Sequence, residues 1–181
     1  SFITRIHFYI IADTYLPGNA SIVRWKSLYG TSRYIDRYFT AASGGVAADK
    51  AYLYIRRVGT PGTLTLEYCV DSGLSIPSTV QKTVTKTISD ITDTPSVYCV
   101  FDWTGTTTRT AGAVYHLKLY GASTDTLANH WEVFCDYSTN GLVSSNGSEW
   151  TPTAEYGMYF RVTGADTKRQ WKFFEMETGL Y

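Results

Sequence analysis

A period-two alternation of apolar side chains within residues 110–164 most constrains how this 181-residue chain can fold. Three runs carry it, with apolar positions at Tyr115, Leu117 and Leu119, at Trp131, Val133 and Cys135, and at Met158, Phe160 and Val162. Successive side chains of a strand point to opposite faces, so this period is typical of strands with one face on a core. The segment therefore predicts three strands joined by polar turns.

Shorter runs extend the prediction to the rest of the chain. They predict strands at residues 1–12, 22–29, 31–40, 52–58, 64–70, 80–88, 97–103 and 171–176. For residues 22–29, one short helical turn is the alternative. About ten strands with no long helix predict an all-β fold, an antiparallel β-sandwich. The Cys-Trp-Cys framework of immunoglobulin domains is missing, which favours a sandwich of jelly-roll type.

Turn chemistry and charge predict how some of these strands pair. Residues 59–62 hold two glycines and a proline between the runs at 52–58 and 64–70, which is typical of a β-hairpin. Lysines at alternate positions of 80–88 indicate an edge strand, where charge discourages stray pairing. The apolar run at 97–103 indicates a central strand.

The overall charge excludes two classes of partner. Sixteen basic and sixteen acidic residues cancel, so the chain lacks the electrostatic footprint of a protein that binds nucleic acid or an anionic membrane surface. No stretch approaches the roughly 20 apolar residues of a membrane span.

Aromatic residues make up 15% of the chain and charged residues only 18%, a balance that suits burial against neighbouring subunits.

The cysteines and histidines offer no catalytic or metal-binding pattern. Cys69, Cys99 and Cys135 cannot all pair within one chain and lack metal-ligand spacing. Buried, inert thiols are the favoured interpretation, and a Cys99–Cys135 disulfide is the alternative; an odd count points to a reducing compartment. His116 is predicted to lie on the face opposite Tyr115, in solvent or at an interface. We expect no catalytic residue, no metal site and no cofactor.

Paired carboxylates are the one catalytic arrangement worth weighing, because glycosidases need two of them about 5–10 Å apart. The candidates are Asp102, Glu132, Asp136, Glu149 and Glu155. Their chance placement on polar faces explains them better, so the sequence predicts a protein that is not an enzyme.

Sugar binding needs an aromatic ring beside amide or carboxylate groups. Trp150, in a polar turn beside Glu149 and Asn146, fits that need, and these three are the candidate ligand-binding residues. The favoured interpretation of Trp150 is nevertheless that it closes one end of the core, and the sugar-binding role is the alternative. Tyrosines on the polar faces of strands fit subunit packing or sugar contact. The candidate interface residues are Tyr34, Tyr38, Tyr52 and Tyr54.

Five segments in chain order carry a resemblance to a known module. They are RVGTPGTLTL at 57–66, TAG at 110–112, HWEV at 130–133, SSNGSEW at 144–150 and FRVTG at 160–164. They resemble a jelly-roll module of tailed-phage virion and tail proteins and of bacterial surface proteins, similar in fold to carbohydrate-binding domains. The length of the chain suits one β-sandwich domain over 1–181. Within it, the resemblance implies a jelly-roll module at 31–164; the N-terminal strand region at 1–30 carries no recognisable match, and a C-terminal strand is predicted at 165–181.

The resemblance also implies a function. It implies a non-enzymatic structural component of a virion, tail- or capsid-associated, which assembles through its sandwich faces with other virion proteins or copies of itself. Such a protein is assembled in the host cytoplasm and resides in the virion. The alternative is a carbohydrate-binding module for host-surface or cell-wall glycan, located outside the cell or on its surface. Neither function involves nucleic acid or a membrane.

Overall fold

The computed structural model describes residues 14–15, 24–41, 48–91, 97–136, 140–153, 157–158 and 160–163. Their thirteen strands are β1 (Thr14–Tyr15), β2 (Arg24–Leu28), β3 (Tyr34–Thr40), β4 (Ala48–Val58), β5 (Leu64–Asp71), β6 (Pro77–Lys86), β7 (Val97–Thr107), β8 (Val114–Tyr120), β9 (His130–Asp136), β10 (Gly141–Ser144), β11 (Thr151–Thr153), β12 (Gly157–Met158) and β13 (Phe160–Thr163). A 3-10 turn at Gly30–Ser32 precedes β3. Within these ranges no helix is long and apolar enough to cross a membrane.

The strands form two antiparallel sheets. Sheet A contains seven of the described strands, β1, β2, β4, β7, β9, β12 and β13. Sheet B contains the other six, in the spatial order β11-β10-β3-β8-β5-β6. The chain crosses repeatedly from one sheet to the other, an arrangement compatible with a jelly roll. The predicted all-β antiparallel sandwich is confirmed.

Strand β4 organises sheet A because it pairs with three strands. One edge of β4 pairs with β7 over residues 48–55. The other edge pairs first with β13, over residues 50–53, and then with β9, over residues 55–58. The short strand β12 continues the line of β13 and pairs with the far end of β9. Four parts of the chain that are distant in sequence therefore meet at one strand.

The core lies between the two inner faces, to which each sheet contributes alternate residues, as period-two patterning requires. The largest fully buried side chains include Trp131, Phe101, Phe160 and Leu53 from sheet A and Tyr68, Phe39, Ile35 and Leu66 from sheet B. The Tyr68 ring stacks between Trp103 and Tyr115, with centroid separations of 5.5 and 5.3 Å. The guanidinium of Arg37, also buried, donates to the carbonyl of Met158 at 2.8 Å and so links the two sheets.

All three cysteines are buried free thiols, so that prediction is confirmed and the alternative Cys99–Cys135 disulfide is wrong. Burial raises the pKa of Cys69 to about 12 and that of Cys99 to about 11. Since the thiolate is the reactive form of cysteine, these two thiols are chemically inert at neutral pH.

Several pairing predictions are wrong. The runs at 52–58 and 64–70 form no hairpin, because β4 lies in sheet A and β5 in sheet B. Among the described residues β7 pairs only with β4 and is therefore an edge strand and not a central one. The segment 110–164 contains six described strands instead of three, since β10 and β11 add a short hairpin and β12 is separated from β13. The strands predicted at 1–12 and 171–176 lie outside the described residues.

The turn at 59–62 leaves sheet A because a distant loop holds it. The side-chain oxygen of Asn129 accepts hydrogen bonds from the backbone N–H of Thr60 at 2.8 Å and from its hydroxyl at 3.1 Å. The Asp125 carboxylate accepts from the backbone N–H of Gly62 at 2.7 Å, and the Trp131 indole donates to the Gly62 carbonyl at 2.8 Å. These contacts replace the strand pairing that a hairpin would make.

Gly59 and Gly30 form a matched pair that tests this close approach. Both have left-handed backbones, with φ of +61° and +55°, so alanine strains each by about 1–2 kcal/mol. A Cβ at Gly59 would also overlap the Ala128 carbonyl and the Asn129 side chain, whereas one at Gly30 meets nothing within 4 Å. We expect Gly59→Ala to lower the free energy of unfolding by about 1–3 kcal/mol more than Gly30→Ala, as measured by urea denaturation. Equal losses of unfolding free energy in the two variants would show that the loop containing Ala128 and Asn129 moves away from the new Cβ at little cost.

Candidate functional site

The four candidate interface tyrosines lie on two opposite surfaces. Tyr34 and Tyr38 alternate with the buried residues of β3 and lie on the outer face of sheet B, as predicted. Tyr52 and Tyr54 lie on the outer face of sheet A, where the Arg161 guanidinium sits 5.1 Å from the centre of the Tyr52 ring. The structure therefore separates the four into two surfaces, and their role as interface residues stays a prediction.

The turn that contains Trp150 is held by its own polar groups. The side-chain oxygen of Asn146 accepts from the backbone N–H groups of Ser148 and Glu149, at 2.9 and 3.0 Å, and from the Ser144 hydroxyl at 3.1 Å. The Asn146 amide donates to the Glu149 carboxylate at 3.4 Å. Asn146 thus shapes the turn, and little of its hydrogen-bonding capacity is left for a ligand.

Trp150 itself lies on the outer side of sheet B and not at the end of the core. Its half-buried ring meets the edge of Tyr34 at a centroid distance of 6.4 Å. Tyr34 also packs against Tyr120, at 4.7 Å, and beneath Gly147, where a Cβ would lie 2.9 Å from the ring. Trp150, Tyr34 and Tyr120 therefore form one aromatic patch, and ligand binding there stays a prediction.

The most unusual polar group on this face is an Asp–His–Asp triplet formed by Asp36, His116 and Asp71. It joins the neighbouring strands β3, β8 and β5: Nδ1 of His116 lies 2.7 Å from the Asp36 carboxylate, and Nε2 lies 3.0 Å from that of Asp71. The side chains of His116 and Asp36 have no solvent exposure, although both point away from the core. The prediction that His116 faces away from Tyr115 is correct, and the prediction of a solvated or interfacial histidine is wrong.

The triplet favours a charged imidazole. Burial alone lowers the pKa of His116, but the hydrogen bonds and charges of Asp36 and Asp71 outweigh it and raise that pKa above the ordinary 6.5. Burial also raises the pKa of Asp36, against the opposing effect of His116. Burial alone would raise the pKa of Asp71, but hydrogen bonds from His116 and from the Gly73 backbone outweigh it, so that the pKa of Asp71 is lowered overall. An ion pair of Lys118 with Glu67 lies beside the triplet.

The outer face of sheet A holds an open concavity of about 500 Å³, here called the Arg56 concavity. It lies where β4 pairs directly with β9, and it is lined by Ser27, Arg56, Arg57, Val58, Leu127, His130 and Glu132. Glu132 is the centre of its polar network, since its carboxylate accepts from Nε of Arg56 and, at 3.2 Å, from the Ser27 hydroxyl. The sequence alone identified Glu132 only as one of five carboxylates.

Three of the carboxylates weighed for catalysis have other partners. Asp102 forms an ion pair with Lys50 at 3.0 Å, Glu132 accepts from Arg56 and Ser27, and Glu149 accepts from the Asn146 amide. The side chains of Asp136 and Glu155 lie outside the described residues. In the part of the chain that the structure describes, no cluster of three or more histidine, cysteine or acidic side chains could hold a metal ion.

Comparisons of the chain with models of known protein families, with curated proteins and with solved structures found no match. The β-sandwich is what the structure shows, and a phage or carbohydrate-binding identity depends on the sequence resemblance alone.

The triplet predicts how stability depends on pH. A folded-state pKa of His116 above its unfolded value, about 6.5, gives stability that is fully present below that unfolded value and lost as pH rises through the folded pKa. Asp71→Asn removes one of the two charges, so it should lower the pKa of His116 and flatten the loss of stability between about pH 6 and pH 9. Urea unfolding across this range and imidazole NMR titration measure both effects.

Asp102→Asn is the matched control for this experiment, because Asp102 is an exposed strand carboxylate paired with Lys50 and not with a histidine. We expect it to leave the titration of His116 unchanged. A pKa of His116 at or below its ordinary value in the parent protein would contradict the charged triplet.

Proposed function

We propose that this protein is a non-enzymatic structural component of a virion, phage tail- or capsid-associated, that assembles with copies of itself through the β6 edge of its sandwich. The resemblance of segments 57–66, 110–112, 130–133, 144–150 and 160–164 to a tailed-phage jelly-roll module supports the virion setting. The distribution of exposed apolar side chains supports the assembly role.

The observation that carries the proposal is a set of exposed apolar side chains distributed along one edge of the sandwich. Leu74 is 77% exposed in the turn before β6, and Val80 and Ile88 are exposed on β6 and just after it. Val100 is exposed on β7, which packs beside β6 as the edge strand of the other sheet. Val80 pairs with Cys69 and lies on the outer face of sheet B, whereas Val100 pairs with Tyr52 and lies on the outer face of sheet A. The edge at which β6 and β7 adjoin therefore carries exposed apolar side chains on both faces, and such surface at a strand edge is typical of a protein–protein contact.

The lysines that the sequence places on this edge do not block it. Lys82 and Lys86 share the alternate positions of Val84, which packs against the core, and both are half-buried. The exposed positions of β6 are instead mostly threonine, serine and valine. A long edge strand with exposed β-branched side chains, and with its lysines half-buried on the other face, is open to pairing with another strand.

Charge introduced at this edge should prevent assembly. In Val80→Glu/Ile88→Glu, two like charges would face the partner copy, so we expect a shift from oligomer to monomer in concentration-dependent light scattering. Stability should change by about 0.5 kcal/mol or less per site, because both positions are exposed.

Leu127→Glu is the control, because Leu127 is 71% exposed but lies on the loop above sheet A and not at the β6 edge. It should leave the oligomer intact. A parent protein that stays monomeric at millimolar concentration, or an oligomer that survives the double substitution, would overturn assembly through this edge.

A further inference from the structure

The Arg56 concavity offers hydrogen-bond donors and acceptors side by side. Nδ1 of His130 lies 3.2 Å from the carbonyl oxygen of Thr126, and a carbonyl only accepts, so the hydrogen of a neutral imidazole resides on Nδ1. Nε2 is then an acceptor, and it lies 3.7 Å from the Glu132 carboxylate. Arg56 lines the concavity and uses Nε toward Glu132 in the contacts described, so its terminal N–H groups are the donors that it can offer to a ligand.

Apolar surface adjoins these polar groups. The guanidinium of Arg56 lies 4.3 Å from the centre of the Trp25 ring, which fixes both side chains against the sheet. Val58 and Leu127 also line the concavity, and Leu127, 71% exposed on the loop that precedes β9, is here called its apolar lip. Contact with an apolar face of a ligand would remove the exposed surface of this leucine from water, which favours binding.

The charge pattern selects among ligand classes. The charges of Arg56 and Glu132 are already paired with each other, and the guanidinium of Arg57 donates to the Gly59 carbonyl. A phosphate, carboxylate or ammonium ligand would therefore compete with contacts that the concavity already makes. Hydroxyl groups both donate and accept, so neighbouring hydroxyls on one ligand satisfy a guanidinium and a carboxylate together. A sugar ring combines such hydroxyls with an apolar C–H face.

We propose that the Arg56 concavity is a binding site for a neutral saccharide. Arg56 donates to one hydroxyl, Glu132 and Nε2 of His130 accept from its neighbours, and Leu127 covers the apolar face of the ring. This function goes beyond assembly and does not depend on it, because the concavity lies on the outer face of sheet A and the proposed assembly edge lies at β6. The site is also distinct from the aromatic patch at Trp150.

The test is NMR titration of the full chain with neutral oligosaccharides of glucose, galactose, mannose, xylose and N-acetylglucosamine, and with glucuronate- and sialate-containing oligosaccharides as charged comparators. We expect a neutral oligosaccharide to shift the amide signals of residues 56–58 and 130–132. Arg56→Gln and Leu127→Ala should each weaken binding by about tenfold or more, because one removes a charged donor and the other the apolar lip. Leu127→Ala lies on an exposed loop and should not affect folding.

Trp150→Ala is the matched control and should leave the affinity unchanged. Three results would each overturn the proposal: no binding of any neutral oligosaccharide, tighter binding of the charged ones, or binding that is lost in Trp150→Ala and kept in Arg56→Gln and Leu127→Ala. Light scattering on the same samples reports the oligomeric state separately, so a failure of the saccharide site is distinguishable from a failure of assembly.

Discussion

The pairing of β4 with three other strands is the constraint on which the rest of sheet A depends. Along one edge of β4, residues 50–53 pair with β13 and residues 55–58 pair with β9. The direct contact of β4 with β9 places Arg56 opposite Glu132 on the outer face and Ile55 opposite Val133 in the core. The concavity and the core beneath it are therefore two sides of one strand pair.

The Asp–His–Asp triplet imposes a comparable constraint on sheet B. Burying charge is expensive, and a buried ion pair is stabilising only when its hydrogen bonds are well made. His116 meets a carboxylate at each ring nitrogen, one from β3 and one from β5. A slip of β8 by one residue would turn His116 into the core and leave both carboxylates without it. The triplet thus favours one register across three strands, and this selectivity comes from polar side chains instead of the core.

Local pattern predicted the faces of strands well and their partners poorly. Alternation in β3 placed Tyr34 and Asp36 on the outer face because side-chain direction depends only on the strand itself. The hairpin across residues 59–62 was wrong because the clamp that redirects this turn comes from Asn129, about seventy positions along the chain.

The same limit applies to the candidate sites. Asp36 and His116 are eighty positions apart in sequence, and no spacing rule connects them. Arg56 and Glu132 carry no local signature either, since each is an ordinary charged residue at an outward position of its strand. Trp150 was recognisable from the sequence because an aromatic ring in a polar turn is a local feature. Its packing on Tyr34 could not be predicted, because the two residues are distant in sequence. What sequence reasoning missed is long-range pairing of residues that look unremarkable in isolation.

The placement of β13 has a consequence for how the chain folds as it is synthesised. The ribosome releases β4 long before β13, so residues 50–53 of β4 lack their partner on that edge until more than a hundred further residues have been made. Sheets that depend on pairing between distant segments fold slowly and expose unpaired edges meanwhile. The nascent protein therefore passes through a stage in which this edge of β4 is unpaired and open to contact with other nascent chains.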